Sequence, residues 1–466
     1  MTSRQLGSSV LAMLLTLIPL TSRADLYTAA AASQKKDFER AFELYRQLAE
    51  LGQPEAQENL AVMYVNGEGV KRDNVLGYAW ATIAKEAGAG AAAAGIIAQL
   101  DPHMNPAARS RVAEVQARFG KAALQARLLP NPYDPKAKFK RDCTMFMAAM
   151  TGDFFPREAK RQKVSGSVIV DVTVAPDGTA RNVRVWNSYP VGIFDEAGRR
   201  YALSSLYKPA IEDGVAVQCR IRFKVKFGNV DVGTIFGLSP EQKKLVTDAR
   251  ARAQAGDPRS QLSYGLALEM SLHPRDKKNL PIDWYVKAAQ GGIPAAQYLV
   301  GRHLLTAVDW GVESDESKGI AWLRMAADAG QPDAQTLLAN YLLRTDPDNA
   351  SGKAQDLLEK AAASGHRDGK FYLAAVLATG PDAARRDPRR ALDLLGQVKE
   401  ELDFDPAFFE VSAAAHAMLG DFTEAQNEQK EALLRATSLK WDTKDLKARL
   451  ERYAASKTWT GNLLVL

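Results

Sequence analysis

Hydrophobic positions along this chain follow two periods. Over most of its length a large apolar residue precedes an Ala-Ala pair and a glycine, as in Trp284-Tyr-Val-Lys-Ala-Ala-Gln-Gly-Gly292, Trp322-Leu-Arg-Met-Ala-Ala-Asp-Ala-Gly330 and Leu357-Leu-Glu-Lys-Ala-Ala-Ala-Ser-Gly365. Leu44 to Gly52 and Trp80 to Gly88 fit the same template, and Gly256-Asp-Pro-Arg-Ser-Gln261 parallels Gly330-Gln-Pro-Asp-Ala-Gln335. Glycines 52 and 88 are 36 residues apart, and 256, 292, 330 and 365 follow at steps of 36, 38 and 35. Periods of this size predict stacked helical hairpins. Paired alanines let a neighbouring helix approach, and the glycine ends the first helix in a left-handed conformation. A proline such as Pro332 suits the first turn of the second helix. That helix carries Ala-Gln with an aromatic residue or leucine seven positions on: Gln57 and Tyr64, Gln297 and Leu304, Gln335 and Leu342. A single hairpin cannot bury its own apolar face, so neighbours must stack.

From about residue 150 the period becomes two. Val168, Val170, Val172 and Val174 share one face of a strand, Ala175-Pro-Asp-Gly178 turns, and Ala180 to Asn187 returns with Val183 and Val185. Asp195 is expected to cap a helix running to about Leu206 that turns Phe194, Ala197 and Tyr201 inward. In the last strand Ile221, Phe223, Val225 and Phe227 alternate with Arg220, Arg222, Lys224 and Lys226. The order is ββαβ. The basic row reads either as a solvated edge that discourages aggregation or as a contact for an acidic partner or membrane surface.

Ala56-Gln-Glu-Asn-Leu-Ala-Val-Met-Tyr-Val-Asn-Gly-Glu-Gly-Val-Lys-Arg-Asp73 resembles the Sel-one-like repeat family, a relative of the tetratricopeptide repeats. Later copies lack the Gly-x-Gly-Val loop. Leu419-Gly-Asp-Phe-Thr-Glu-Ala425 with Lys430-Glu-Ala-Leu433 resembles one tetratricopeptide unit. The family implies protein–protein scaffolding on a concave face and no catalysis. Trp80, Trp284, Tyr298, Trp322 and Tyr341 read either as a peptide-binding stripe on that face or as core between helices. Phe155-Pro-Arg-Glu-Ala159, Gly166-Ser-Val, Pro176-Asp-Gly178, Asn187-Ser188, Phe194-Asp195, Tyr207-Lys-Pro-Ala210 and Asp213-Gly214 fall in the order of the TonB C-terminal domain, to which residues 152–228 are similar. That resemblance implies a periplasmic domain that engages outer-membrane receptors by adding a receptor segment to its sheet edge. No Pro-rich spacer is present, and the first histidine is His103.

The expected fold is a mainly α solenoid of helical-hairpin repeats with a small α+β domain inserted. Its parts are a signal peptide (1–24), N-terminal repeats (25–130), a linker (131–151), the TonB-like domain (152–230), further repeats (240–382), a tetratricopeptide-like unit (383–440) and a tail (441–466).

Arg4, the apolar run Val10 to Leu20, and Ser22-Arg-Ala24 make up the signal peptide, which predicts export to the periplasm. In an oxidising compartment Cys143 and Cys219, the two cysteines of the chain, are expected to pair. With 46% hydrophobic residues, 25% charged residues and a net charge of +6 over 466 residues, the chain is globular and lacks the dense basic character of a nucleic-acid binder. Ser33-Gln-Lys-Lys36 has the Ser-x-x-Lys spacing of penicillin-binding enzymes without the Lys-Thr-Gly strand that accompanies it. The five histidines have no Cys or His at ligand spacing. No catalytic residue, metal site or cofactor is assigned. The expected function is a non-enzymatic periplasmic adaptor for envelope proteins, outer-membrane receptors or cell-wall-associated factors. The alternatives are a TonB-type transducer held by an uncleaved first segment and an enzyme acting on the cell wall.

Overall fold

The computed structural model describes residues 25–131, 143–147, 154–161, 164–228, 240–270, 280–306, 312–460 and 463. The expected leader lies outside these residues. The described residues form two compact units, one taking the chain to 135 and from 243 to 329, the other 136–242 and 330 onward.

The first unit is helical. Helices Leu26–Gln34, Phe38–Glu50, Pro54–Asn66 and Asn74–Glu86 pack in succession, followed by Ala91–Leu100, Pro106–Phe119 and Lys121–Arg127. After the inserted domain come Pro240–Gln254, Pro258–Glu269, Pro281–Gln290, Pro294–Thr306 and Glu316–Asp328. Residues from both sides of the insertion bond directly: the Gln290 amide donates to the Leu51 carbonyl (3.1 Å), the Trp322 indole to Leu128 (2.8 Å) and the Lys318 ammonium to Leu129 (2.9 Å). The sheet domain therefore interrupts the sequence of this helical stack without dividing it.

The repeat signature has a backbone explanation. At a helix C-terminus the last carbonyls have no partner within the helix. Three residues before the closing glycine, the carbonyls of Ala49, Ala253 and Ala289 accept from the N–H of Gly52 (3.0 Å), Gly256 (3.1 Å) and Gly292 (3.0 Å). The same three carbonyls also accept from the amides of Gln57 (3.1 Å), Gln261 (3.3 Å) and Gln297 (3.3 Å) on the next helix. The Ala-Gln motif thus ties each hairpin together. The six glycines aligned in the sequence all have positive φ, between 84° and 96°.

In the second unit β1 (Thr144–Met147) pairs with β4 (Leu206–Lys208), and β5 (Ala210–Glu212) with β6 (Val215–Val217). The main sheet has the order β3-β2-β7, all antiparallel, with β2 (Gly166–Val174) central between β3 (Ala180–Tyr189) and β7 (Cys219–Phe227). The valine face of β2 is fully buried beneath helix Asp195–Leu203. Gly198 lets that helix down onto the sheet, since a Cβ there would lie 2.9 Å from the Val168 side chain. The expected ββαβ core is present, with two differences. Phe194, not Asp195, takes the N-cap position, and four short strands accompany the three long ones. Cys143 and Cys219 are disulfide-bonded, with Cα atoms 5.9 Å apart. The long repeat helices of this unit run from Pro332–Thr345 through Phe422–Ser438. Helix Lys444–Ala454 then packs on Phe422–Ser438, with Tyr453 fully buried. The segment expected as a tail is therefore part of the packed array.

Two glycines test the backbone argument. Gly365 (φ +85°) and Gly396, in helix Pro388–Gly396, both have open space where a Cβ would sit. Gly365→Ala is expected to destabilise by about 1 kcal/mol, the cost of a left-handed alanine, and Gly396→Ala to stabilise by about 0.5 kcal/mol. Urea midpoints moving in opposite directions check this.

Candidate binding surfaces

Several of the landmarks that carry the resemblance over 152–228 pack in the domain's interior or shape its turns, while Asp213 and Gly214 lie exposed in the β5–β6 turn. Phe155 meets Phe194 edge-on (5.6 Å between centroids) and Phe227 (6.0 Å), while Phe194 and Phe227 stack at 5.1 Å. Gly166 lies against the Tyr189 carbonyl and the Phe194 ring so closely that a Cβ would overlap both. In the β2–β3 turn, Asp177 accepts from the Thr179 amide (3.0 Å), Gly178 takes φ +81°, and the Gly178 carbonyl accepts from Tyr207 N–H (2.9 Å). The Tyr207 hydroxyl donates to the Ala202 carbonyl (2.8 Å), and burial pushes its pKa well up.

The basic row is not one solvated face. The Arg222 side chain is 3% exposed, lies over the Trp186 ring and reaches within 3.9 Å of the buried Asp171 carboxylate on β2. Arg220 approaches the same carboxylate at 4.0 Å. Lys224 is half-buried, and Lys226 alone of the four is exposed. The reading of four equivalent surface charges is corrected: a desolvated guanidinium needs the Asp171 carboxylate and the Trp186 ring, so Arg222 is a packing residue.

The two outer strands differ. Around β3 the helical array closes in: the Tyr372 hydroxyl donates to Asn182 Oδ1 (3.2 Å), Arg184 reaches that hydroxyl (3.3 Å), and Arg181 lies 3.8 Å from the Trp441 ring centre. β7, nine residues long, has no further strand beside it among the described residues. The β5–β6 hairpin that leads into it exposes Ile211 and Val215, and β1 exposes Phe146, each to more than 60%. Sequence reasoning passed over Ile211 and Val215 because short strands with an Asp213-Gly214 turn read as connection, and over Phe146 because it falls in the expected linker 131–151. A β-branched pair flanking that turn is the signal that could have found Ile211 and Val215.

Of the two readings of the repeat aromatics, the binding stripe fails for the three tryptophans. Trp80, Trp284 and Trp322 are buried, Trp80 against Phe119 and Trp284 edge-on to Tyr264. Tyr298 and Tyr341 are half-buried beside Arg302 and Arg344. The reading of these residues as inter-helix core holds for the tryptophans, whose large rings fill the space between hairpins. What the first unit offers instead is a groove of about 890 Å3 with Gln53, Glu55, Glu58, Lys121, Lys287 and Gln290 on its walls. His303 lies inside the same unit, its Nδ1 2.7 Å from the Leu299 carbonyl, near the buried Glu269 that accepts from the Tyr285 hydroxyl (3.0 Å). Ser33 sits in the last turn of its helix and Lys36 beyond it, exposed.

Comparison with known families agrees with this architecture. Residues 152–228 match the Gram-negative bacterial TonB protein C-terminal family, and residues 30–53, 54–88, 294–331, 332–366 and 368–397 match the Sel1 repeat. The chain carries Sel1 repeats and a TonB C-terminal domain. It is similar to the Sel1-repeat-containing protein YjcO of Escherichia coli strain K12, at 34% identity over 142 residues, which is 30% of this chain and 58% of the relative. An uncharacterised YjcO protein of Shigella flexneri gives the same figures. The chain thus spans 58% of the length of the curated relatives it matches. Among solved structures, a protective antigen of uropathogenic Escherichia coli displaying an SLR fold is 18% identical, covering 89% of this chain and 78% of that one, with a TM-score of 0.37. A Sel1 repeat protein from Oxalobacter formigenes is 18% identical, covering 42% and 80%, with a TM-score of 0.32. Residues 256–292 fall outside the Sel1 matches, yet the hairpin there carries the same glycine and glutamine bonds.

The contrast within the basic row of the TonB C-terminal domain is measurable. Arg222→Ala removes the guanidinium stacked on Trp186 and leaves the buried Asp171 carboxylate with Arg220 alone, and is expected to destabilise by about 2 kcal/mol, whereas Lys226→Ala should stay within about 0.5 kcal/mol of the parent. Chemical denaturation of the two variants checks this, and equal losses would contradict the packing role.

Proposed function

We propose that this chain is a non-enzymatic binding adaptor of the periplasm, in which the TonB C-terminal domain captures an extended partner segment along β7 while the Sel1 repeats serve as a protein-binding scaffold. The carrying observation is the asymmetry of the sheet: β3 is engaged by the chain's own helices, and β7 is an outer strand approached by a hairpin with exposed apolar residues. An outer strand supplies unpaired backbone groups for strand addition, and neighbouring apolar side chains supply selectivity. With Arg222 and Arg220 turned to Asp171, Lys226 is left for charge attraction, so the partner segment is recognised mainly by backbone and apolar contact. Envelope proteins, among them outer-membrane receptors, have the required extended segments. No helix of the described residues is long and apolar enough to cross a membrane.

Photo-crosslinking residues placed at Lys226 and Ile211, compared with one at Lys447 on an exposed helix face, test the proposal in cells. The expected result is a shared crosslinked partner at the first two positions, mapped to an extended segment, with the chain recovered in the periplasmic fraction. Crosslinks at Lys447 as strong as those at Lys226 and Ile211, or recovery of the chain from the cytoplasm, would refute it.

A further inference from the structure

The residue after a repeat glycine can cap the following helix. Gln53 accepts from the Ala56 N–H (3.0 Å) and Asp257 from the Arg259 N–H (3.1 Å). In the copy that begins at Gly365 that place is taken by His366, whose Nδ1 accepts from the Gly369 N–H (3.1 Å) at the start of helix Arg367–Thr379. An amide or carboxylate oxygen accepts throughout the neutral range, whereas a ring nitrogen accepts only while it carries no proton. The neutral ring therefore holds its proton on Nε2, which lies 3.3 Å from Asp333 Oδ1 on helix Pro332–Thr345. Nδ1 has a second neighbour, the Thr336 hydroxyl of that same helix, at 3.2 Å. A hydroxyl turns to donate or accept, and a backbone N–H only donates. The same nitrogen thus faces one group that serves it in either charge state and one that serves it only when neutral.

The joint is tightly built. A Cβ on Gly369 would lie 2.7 Å from that of Ala361, so this turn rides directly on helix Pro347–Ala363, whose Ala361 carbonyl accepts the His366 N–H (3.2 Å). The charges around the ring are Asp333 on the preceding repeat and Arg367 and Asp368 on its own helix. Asp368 pairs with Arg367 (2.7 Å) and stands 3.6 Å from Arg199 of the sheet domain, and Arg367 reaches Glu401 at 3.8 Å. One turn further on, Tyr372 donates to Asn182 of β3. The turn that His366 caps is therefore where this helix begins its contact with the sheet domain. Burial disfavours the imidazolium, but the hydrogen bond and charge of Asp333 and the charge of Asp368 outweigh it, so the pKa lies above the ordinary histidine value.

We propose that His366 is a proton switch in this joint. Neutral, its Nδ1 caps helix Arg367–Thr379. Charged, the same nitrogen donates to Thr336 and Nε2 to Asp333, so the ring ties itself to the preceding repeat and leaves the Gly369 N–H without its cap. The contribution of the charged form to folding is complete below about pH 6.5, the unperturbed histidine value, and is lost as pH rises through the higher folded value. Acidification thus strengthens the fold while loosening one helix turn, two effects that a passive cap would not combine. The switch does not depend on what β7 binds.

Two measurements on the full chain test it, with His366→Asn as the reference, since asparagine caps a helix well and does not titrate. Hydrogen exchange at the Gly369 amide, corrected for its intrinsic pH dependence, is expected to show protection about fivefold lower at about pH 5.5 than at about pH 8, the size of a lost cap. His366→Asn is expected to show no such change. The urea midpoint of the parent, relative to His366→Asn, is expected to rise on going from the higher pH to the lower. Asp333→Asn, at a half-exposed carboxylate, is expected to move the exchange transition to lower pH. Equal Gly369 protection at both pH values in the parent, the same change in His366→Asn, a relative midpoint that stays flat, or a transition unmoved in Asp333→Asn would overturn the proposal. Should His366→Asn fail to fold, the shift in Asp333→Asn decides it.

Discussion

A helix that stops leaves carbonyls pointing at nothing, and this chain meets that constraint the same way at Ala49, Ala253 and Ala289. Each carbonyl takes one bond from a left-handed glycine and a second from a glutamine on the following helix. The bond count sets the geometry of the hairpin: the second helix must start within five residues of the glycine and run close enough for an amide to reach back. Small residues then become necessary on the facing surfaces, because the reach fixes the helix spacing. Tryptophan fits where the spacing leaves a gap, which is why Trp322 is wholly buried and its indole is bound to Leu128.

The sheet domain obeys a different rule. Its helix is brought down by Gly198 onto a valine face, and the aromatic trio of Phe155, Phe194 and Phe227 closes one end. With that face filled, the opposite face would be expected to meet water. Instead Ile169, Asp171, Thr173 and Trp186 are buried there, under Arg222 and its neighbours. Charged residues on alternate positions of β7 therefore cover apolar surface with their long stems, a use of arginine that alternation alone does not separate from solvation.

Much of this was legible from residue order. The hairpin period, the helix-ending glycines, β2 from Gly166 to Val174 and the Cys143–Cys219 pair are local or compositional signals, and each has one dominant physical cause. The errors share a different cause. Whether Trp284 or Arg222 faces solvent depends on what packs against it from elsewhere in the chain, and a period of 3.6 or 2 assigns a side without saying what covers that side. Helix Lys444–Ala454 was missed because it has no repeat glycine and buries little but Leu446 and Tyr453. The exposed Ile211 and Val215 were missed because strands of three residues carry too few positions to show a period.

Motif and function separate accordingly. The residues that identify the TonB C-terminal domain are occupied in holding it together: Gly166 by Tyr189 and Phe194, Asp177 by its turn, Tyr207 by Ala202. Those that identify a Sel1 repeat are occupied by helix ends. Apart from the exposed Asp213-Gly214 turn, neither set is left over to recognise a partner, so a chain can keep these landmarks and change what it binds. Specificity must then reside in positions no motif fixes, such as the exposed hairpin beside β7 and the polar walls of the groove in the first unit. On the proposed reading this explains why family membership names a mode of binding, backbone pairing at an outer strand, and leaves the partner to be decided by a few exposed side chains.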